Sequence, residues 1–404
     1  MLAGVRGLYI VVGVTMAGVG SVFALLAELQ NRYQLGTGSL GWIAGSAFAA
    51  ALVTQLLLAR YADRGYATLL LRVGVIAAAV GLLWFAAATE LWQFVAARAV
   101  LGAGVGTIMP PARRAIVLTS HGNQGERLGV LYAAYLSGFV FGPPIAGALT
   151  TLADVRLPFV VFGALVAACL LSIAGIEMPE GGRGELAAAV ADKRVLRRLL
   201  SNRRVIAAIL VIVSFRYSIG VFEPLWATHL DHLGASTMVV TLSLTGFALP
   251  MLLVAKHAGR ISDRYGPRPA SVLSALGTVP FMASYGFIGS VPLICLMVVP
   301  HGLLEAVQSP GSQAALSDAA AHEDAAAAQG LGEAAGSAAA AIGAFTAAPL
   351  FAGLGAGPAW LIAGLVMTGL LTTSALVDRP RSNSALRGGP RAEPAEAPQL
   401  STAD

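Results

Sequence analysis

Several ionisable side chains lie inside long apolar stretches of this sequence, where a charge is costly to place and usually serves a function. Arg216 and Glu223 are two helical turns apart, so they share one face of a helix. His301 and Glu305 are one turn apart and also share a face. A buried acid of this kind can take up and release a proton, or it can bind a charged group of a small molecule.

Arg98 and Glu28 belong to the same set, because both are expected near the outer ends of their apolar stretches. A fixed arginine beside a carboxylate favours its ionised form, so the acid releases a proton when the pair forms. An alternative interpretation makes Glu28 an interfacial residue in water. Glu305 is the deepest acid and is expected to line a cavity. A structural contact of Glu305 with its neighbouring histidine, or an ion pair with Arg216, would explain the same residues.

Membrane-spanning helices are the elements that must position these groups. The chain of 404 residues is 56% hydrophobic and 12% charged, whereas soluble domains carry about a quarter charged residues. Backbone groups in hydrocarbon must pair within the chain, which favours helices. A span needs about 20 mostly apolar residues. Twelve are predicted, at 7–29, 39–59, 68–88, 91–112, 128–150, 156–176, 205–229, 238–257, 269–289, 291–315, 329–353 and 357–377.

The distribution of basic residues predicts the orientation of these spans. With the N-terminus inside, most of the 26 lysines and arginines fall in cytoplasmic segments, and only Arg32 and Arg156 fall in outer loops. Both termini are therefore predicted to be cytoplasmic. Lysine occurs only at Lys193 and Lys256, while alanine and glycine abound, which indicates a GC-rich, bacterial genome. The expected location is the inner plasma membrane of a bacterium.

An internal repeat predicts two related halves. The Asp-Arg pair at 63–64 recurs at 263–264, and the segment 102–110 has a counterpart at 302–310, with glycine and proline each displaced by the same interval. The predicted domains are an N-terminal six-helix bundle at 1–176, a basic cytoplasmic linker at 177–204, a C-terminal six-helix bundle at 205–377 and a disordered cytoplasmic tail at 378–404. Leucines and arginines of the linker fall at helical spacing, which predicts a short helix on the inner leaflet or a solvated spacer.

The second Asp-Arg pair lies in the segment Gly259-Arg260-Ile261-Ser262-Asp263-Arg264-Tyr265-Gly266-Pro267-Arg268. Its Gly-x-x-x-Asp-Arg-x-Gly-x-Arg pattern resembles the loop that recurs after the second and eighth helices of major facilitator superfamily transporters. The resemblance implies a cytoplasmic gate, formed by Asp63, Arg64, Gly259, Asp263, Arg264, Gly266 and Arg268. The carboxylates can cap helix N-termini while the arginines pair with acids or headgroups. In the alternative interpretation, these charges only hold the loop in the cytoplasm. The first copy departs from the pattern, with Ala59 for the leading glycine.

The fifth predicted span contains Gly138, Gly142, Pro143, Ala146 and Gly147. This pattern resembles the Gly-x-x-x-Gly-Pro-x-x-Gly-Gly signature of drug:proton antiporters of that superfamily, with alanine in place of one glycine. The signature implies an exporter, although a glycine-rich packing face is the simpler interpretation. In the fourth span, Arg98 and the glycine four residues later resemble the Arg-x-x-x-Gly motif that the family associates with proton transfer.

The resemblance covers nearly the whole chain outside the tail and implies the major facilitator fold, an all-α membrane protein of 12 helices in two pseudo-symmetric bundles. The expected function is proton-coupled efflux of a small organic compound or drug by alternating access. A symporter that imports a sugar or another metabolite is the nearest alternative, and a membrane-embedded enzyme or a receptor is a more distant one. The expected partners are the small molecule, protons and the bilayer, with no nucleic acid. Neither a cofactor nor a metal site is expected, and the resemblance implies a monomer.

Overall fold

The computed structural model describes residues 2–61, 66–119, 124–175, 193–321 and 324–378. Asp63 and Arg64, the linker residues 177–192 and the tail from 379 onward lie outside these ranges. In the described part of the chain, all regular structure is helical. The α-helices are α1 Leu2–Ala24, α2 Leu26–Tyr33, α3 Leu40–Tyr61, α4 Ala67–Ala87, α5 Leu91–Thr119, α6 Gln124–Leu152, α7 Leu157–Ile173, α8 Lys193–Ser201, α9 Arg203–His232, α10 Thr237–Tyr265, α11 Pro267–Ser284, α12 Val291–Ala319, α13 Ala325–Leu354 and α14 Ala356–Val377.

The chain is an all-α membrane protein, as the sequence predicts. Over the described residues, eleven helices are long and apolar enough to cross a membrane. The remaining predicted span, 156–176, corresponds to α7, an apolar helix of 17 residues. At 1.5 Å per residue α7 is about 25 Å long, which is slightly less than the hydrocarbon thickness of about 30 Å. The predicted count of twelve is therefore not exact by this length criterion.

Two hydrophobic cores organise the bundle. The first is built from side chains of α1 and α3 to α7, with Phe85, Phe94 and Phe159 among its fully buried members. The second is built mainly from α9 to α14 around Trp226 and Trp360, both 0% exposed. We refer to the helices of the first core as the N-terminal half and to those of the second as the C-terminal half.

The two halves repeat the same helix crossing. A Cβ atom built on Gly102 of α5 would lie 2.3 Å from the backbone oxygen of Ala47 in α3. A Cβ atom built on Gly302 of α12 would lie 2.2 Å from the backbone oxygen of Phe247 in α10. Both residues of each crossing are displaced by the same interval along the chain, so the sequence repeat corresponds to a repeat in packing.

The end of the linker packs on protein. Leu199 of α8 is buried in a small core with Val205, Ile212 and Leu316 at the end of the C-terminal half. The Arg198 guanidinium lies 2.5 Å from the carboxylate of Asp324, just before α13. The inner-leaflet helix expected from the arginine spacing thus has part of its apolar face covered by α9 and α12, because an apolar surface is available there at the end of the bundle.

The two ends of the bundle differ in how tightly the halves meet. We call the end that carries the turns at 34–39 and 285–290 the outer end, following the predicted orientation, and the opposite end the inner end. At the outer end, Thr237 donates to Glu28 at 2.8 Å and Asn31 donates to Asp231 at 3.0 Å. At the inner end, the polar contacts between halves are longer, from 3.4 to 3.6 Å. The bundle is closed at the outer end and looser at the inner end.

The glycines of α6 determine its contact with α1. A Cβ atom on Gly138 would lie 2.4 Å from the carbonyl oxygen of Gly13, and one on Gly142 would lie 2.5 Å from that of Ala17. Distances below 3.0 Å to backbone atoms leave no room for a methyl group. These two glycines therefore let the helices touch along their backbones, as small residues do in membranes.

We predict that Gly142→Ala destabilises the folded protein, whereas Gly129→Ala on the same helix does not. The first substitution forces a methyl group against the backbone of α1, and overpacking of this kind costs about 1–3 kcal/mol. The second has nothing within 4 Å of the new methyl group, and replacing a helical glycine by alanine stabilises a helix by about 0.5–1 kcal/mol. Thermal unfolding midpoints of both variants in one detergent check this expectation. Equal midpoints would show that the crossing tolerates separation.

Candidate functional site

A buried ion pair joins the two halves at the outer end. Arg98 of α5 donates from Nη2 to Oε1 of Glu223 in α9, and the two side chains are 2% and 4% exposed. Nε of Arg98 is also buried and has no hydrogen-bond partner among the described residues. A buried ion pair with an unsatisfied donor recovers only part of its desolvation cost. This pair therefore holds the halves together less firmly than its burial alone would imply.

The local sequence of α9 places Glu223 in this position. Gly220 brings α9 against the backbone of α13, since a Cβ atom there would lie 2.0 Å from the oxygen of Ala340. Pro224 lacks a backbone N–H, which leaves the carbonyl of Gly220 without its helical hydrogen bond. The acid thus lies at a point where α9 is closely packed on one side and weakened in its backbone ladder.

The partner that the sequence indicated for Arg98, Glu28, lies elsewhere. The first span is interrupted at Leu25, and Glu28 belongs to the separate short helix α2. Its Oε2 accepts a hydrogen bond from Thr237 at the outer end of the C-terminal half. Glu28 and Glu223 were both near the outer end in sequence terms, and only the change of direction between α1 and α2 separates their roles.

His301 and Glu305 lie together in the C-terminal half. His301 Nε2 is 3.4 Å from Oε1 of Glu305, and His301 Nδ1 is 3.0 Å from the hydroxyl of Tyr285. The Ser218 hydroxyl donates to Glu305 at 3.4 Å. Glu305 is 1% exposed, so in this conformation it does not face an open cavity as expected. The reason is that the polar face of α12 packs against α9.

Gln308 extends this polar face and was not foreseen. It is 0% exposed, and neither its amide nitrogen nor its amide oxygen has a hydrogen-bond partner within the described ranges. Oε2 of Glu305 is also unpartnered there. The signal was present in the sequence, since His301, Glu305 and Gln308 follow the spacing of one helix face.

Arg216 lies in the space between the halves. It is half-buried on α9, and a Cβ atom on Gly336 of α13 would lie 2.7 Å from its Cγ. Across this space, Tyr132 and Tyr135 of α6 are within its electrostatic range. Its expected ion pair with Glu305 is not formed, because that carboxylate is engaged by a histidine and a serine of its own half.

The glycine-proline segment of α6 contacts both halves. Pro143 lies against α1, where a Cβ atom on Gly20 would be 3.1 Å from its Cδ. Ala146 is 0% exposed. Gly147 faces the C-terminal half, and a Cβ atom there would lie 2.7 Å from the Thr241 hydroxyl of α10. The segment therefore takes part in outer closure as well as in packing within its own half.

The predicted loop at 259–268 is mostly helical. Residues Gly259, Asp263 and Arg264 lie in the last turns of α10, which ends at Tyr265. Gly266, with φ +84°, makes the turn, and Pro267 begins α11. Glycine accepts this backbone conformation, and proline suits the first turn of a helix.

The arginines of this segment have partners on their own side. The guanidinium of Arg264 lies 5.4 Å from the ring centroid of Tyr265, and Arg268 forms an ion pair with Asp378 after α14. These contacts join α10, α11 and α14 at the inner end. The gate role of the segment stays a prediction.

Comparison with known proteins bears on the identity of the chain. A model of the Major Facilitator Superfamily matches residues 8–231 and 208–401. Multidrug resistance protein 1 of Bacillus subtilis (strain 168) is 24% identical over 238 residues, which are 58% of this chain and 61% of that protein. This chain thus matches about three fifths of the length of that relative.

Solved structures share the fold. The nucleoside transporter NupG superposes with a TM-score of 0.77 at 13% identity, over 93% of this chain and all of that chain. A D-xylose-proton symporter superposes with a TM-score of 0.74 at 18% identity, over 93% of this chain and 97% of that chain. At such low identities these likenesses establish the fold alone.

The ion pair allows a double-mutant test. We predict that Arg98→Gln or Glu223→Gln alone lowers stability by about 3–5 kcal/mol, because each leaves one buried charge unpaired. The double variant is expected to recover most of this loss. The exposed pair Arg32–Asp154 is the control, where each single substitution should cost less than about 1 kcal/mol. Unfolding in detergent measures all of these, and additive losses at Arg98 and Glu223 would contradict the coupling.

Proposed function

We propose that this chain, which belongs to the major facilitator superfamily, exports a small organic compound in exchange for protons. The family and the fold are those of transporters that cross the membrane many times. Proton coupling, the direction of transport and the compound are the article's own proposal. The observation that carries the proposal is the buried pair of Arg98 and Glu223 between the two halves.

The pair links a proton to closure of the outer end. When the outer end is open, Glu223 is separated from Arg98 and in contact with water, so it can take up a proton from outside. When the outer end closes, a protonated Glu223 would leave the buried Arg98 without a counter-charge. The guanidinium therefore favours the ionised carboxylate, and the proton is released to the space that is accessible from the inner end.

The substrate moves in the opposite sense. It enters from the inner end, where the halves meet through contacts of 3.4 to 3.6 Å, and leaves when the outer end opens. Opening requires α6 and α10 to part at Gly147 and Thr241, which are in contact here. Two observations support export: the glycine-proline segment of α6 resembles the antiporter signature, and the chain is similar to a multidrug resistance protein.

A proton-coupled symporter is the second candidate, and the likeness to the D-xylose-proton symporter favours it at the level of the fold. The Arg98–Glu223 pair would move a proton inward in either case. What differs is the direction of the substrate, so a measurement of direction separates the two functions.

We predict that substrates dissipate the pH gradient of everted membrane vesicles energised by respiration. A panel of dyes and antibiotics is added while a pH-sensitive dye reports the acid interior, which corresponds to the outside of the cell. Export of a compound into the vesicle releases protons from the interior, whereas symport would move both in the same direction. Glu223→Gln is expected to abolish the response because it cannot ionise.

Matched variants define the role of the pair in these vesicles. Asp154→Asn changes an exposed acid of the outer end outside the buried pair and is expected to leave the response intact. Glu305→Gln tests the other buried acid. A full response from Glu223→Gln, or loss with Glu305→Gln alone, would assign proton coupling to α12 instead.

A further inference from the structure

Arg216 is the charged group between the halves that has no counter-charge. Its Nε is buried without a hydrogen-bond partner, and in the part of the chain that the structure describes Arg216 makes no ion pair. The nearby acid of α12, Glu305, is held by His301 and Ser218. A guanidinium in this position lacks the anionic or carbonyl partner that its donors are shaped to bind.

The ring of Tyr132 faces the same space from the other half. Tyr132 is 39% exposed, whereas Phe141, nine residues later on α6, is 53% exposed. Nine residues at about 100° each place these two side chains on opposite sides of the helix. Phe141 continues the exposed face of Ile145, which is the lipid side. The exposed part of Tyr132 therefore faces the space between the halves, where its hydroxyl is 3.5 Å from Ser309.

A row of aromatic rings continues from Tyr132. Its ring is parallel to that of Tyr135, with centroids 6.2 Å apart and an interplanar angle of 6°. Tyr135 lies 6.0 Å from Phe139, and Phe139 lies 6.4 Å from Phe23 of α1. This row presents flat apolar faces beside a free guanidinium, and planar rings stack favourably on such faces.

The other charges near this space are balanced or withdrawn. Arg113 of α5 is 52% exposed and lies 3.6 Å from Glu333 of α13, so these two charges offset one another at the inner end. Glu305 is 1% exposed. The accessible charge that remains is the positive charge of Arg216.

We propose that the ligand of this space is a planar aromatic acid, whose anionic group pairs with Arg216 and whose ring lies on Tyr132 and Tyr135. This inference rests on the proposed function, since it takes the space between the halves as the transport site. A carboxylate or sulfonate matches the guanidinium with two parallel hydrogen bonds. An organic cation of the same shape would instead face the uncompensated charge of Arg216.

The test is equilibrium binding to the full chain in lipid nanodiscs, with no gradient present. Three probes share one ring system: 2-naphthoate, 2-naphthamide and 2-naphthyltrimethylammonium. The wild type is expected to bind the anion tightest and the cation weakest. Arg216→Gln should weaken 2-naphthoate binding about tenfold or more, the usual size of a lost charge-assisted hydrogen bond. It should leave 2-naphthamide within about threefold.

Further variants keep the test informative if Arg216→Gln folds poorly. Arg216→Lys retains the charge without the planar fork and should lose part of the anion affinity. Tyr132→Leu should weaken the anion and the amide alike, because both use the ring. Arg32→Gln removes an arginine that pairs with Asp154 at the outer end and should change nothing.

Two results would overturn the inference: a wild type that binds the cation as tightly as the anion, or one that binds none of the probes. Unchanged 2-naphthoate affinity in both Arg216 variants would do the same. Failure of the proposed function looks different. If 2-naphthoate binds as expected but does not dissipate the vesicle gradient, export is wrong and the ligand class stands. If only cations dissipate the gradient, export stands and the ligand class is wrong.

Discussion

The ion pair between Arg98 and Glu223 is buried where the halves meet, so that closure of the outer end and neutralisation of both charges are one event. Neither half contains a partner for its own charge at this place. Separation of the halves exposes both groups to water, and closure removes both from water together. The protonation state of one carboxylate is thereby connected to the arrangement of the whole bundle.

The internal repeat explains the scaffold, and departures from the repeat explain the charges. Residues at equivalent positions of the two halves meet near the axis between them, as Phe23 does with Phe222 and Asn31 with Asp231. The charged residues have apolar equivalents instead. At the interval that relates Gly102 to Gly302, the counterpart of Arg98 is Val298, a fully buried side chain. Duplication supplied matching helix crossings, whereas the groups proposed to move protons and bind the ligand occur once.

The fold could be predicted from the sequence because it depends on local composition. Apolar length and small residues are properties of each segment, and Gly138 and Gly142 pack against α1 as a smooth glycine face implies. The partner of Arg98 could not be predicted, because it depends on how α5 and α9 meet across the halves. Glu28 had a suitable depth, yet the interruption at Leu25 directs it to Thr237. The segment at 259–268 continues α10 to Tyr265, since its polar residues are compatible with a helix that extends beyond the bilayer.

A transporter that alternates between two arrangements needs them to be close in free energy, because a ligand or proton can shift an equilibrium only by its differential affinity for the two states. The contacts described here fit that requirement. The outer end combines short hydrogen bonds with an ion pair whose Nε donor is unsatisfied. Had Arg98 used both edges of its guanidinium, the closed arrangement would gain a further charge-assisted hydrogen bond, worth about 1.5–3 kcal/mol. Opening would then need a correspondingly larger contribution from the proton or the substrate. The incomplete pairing of Arg98 thus keeps the outer end closed and still able to open.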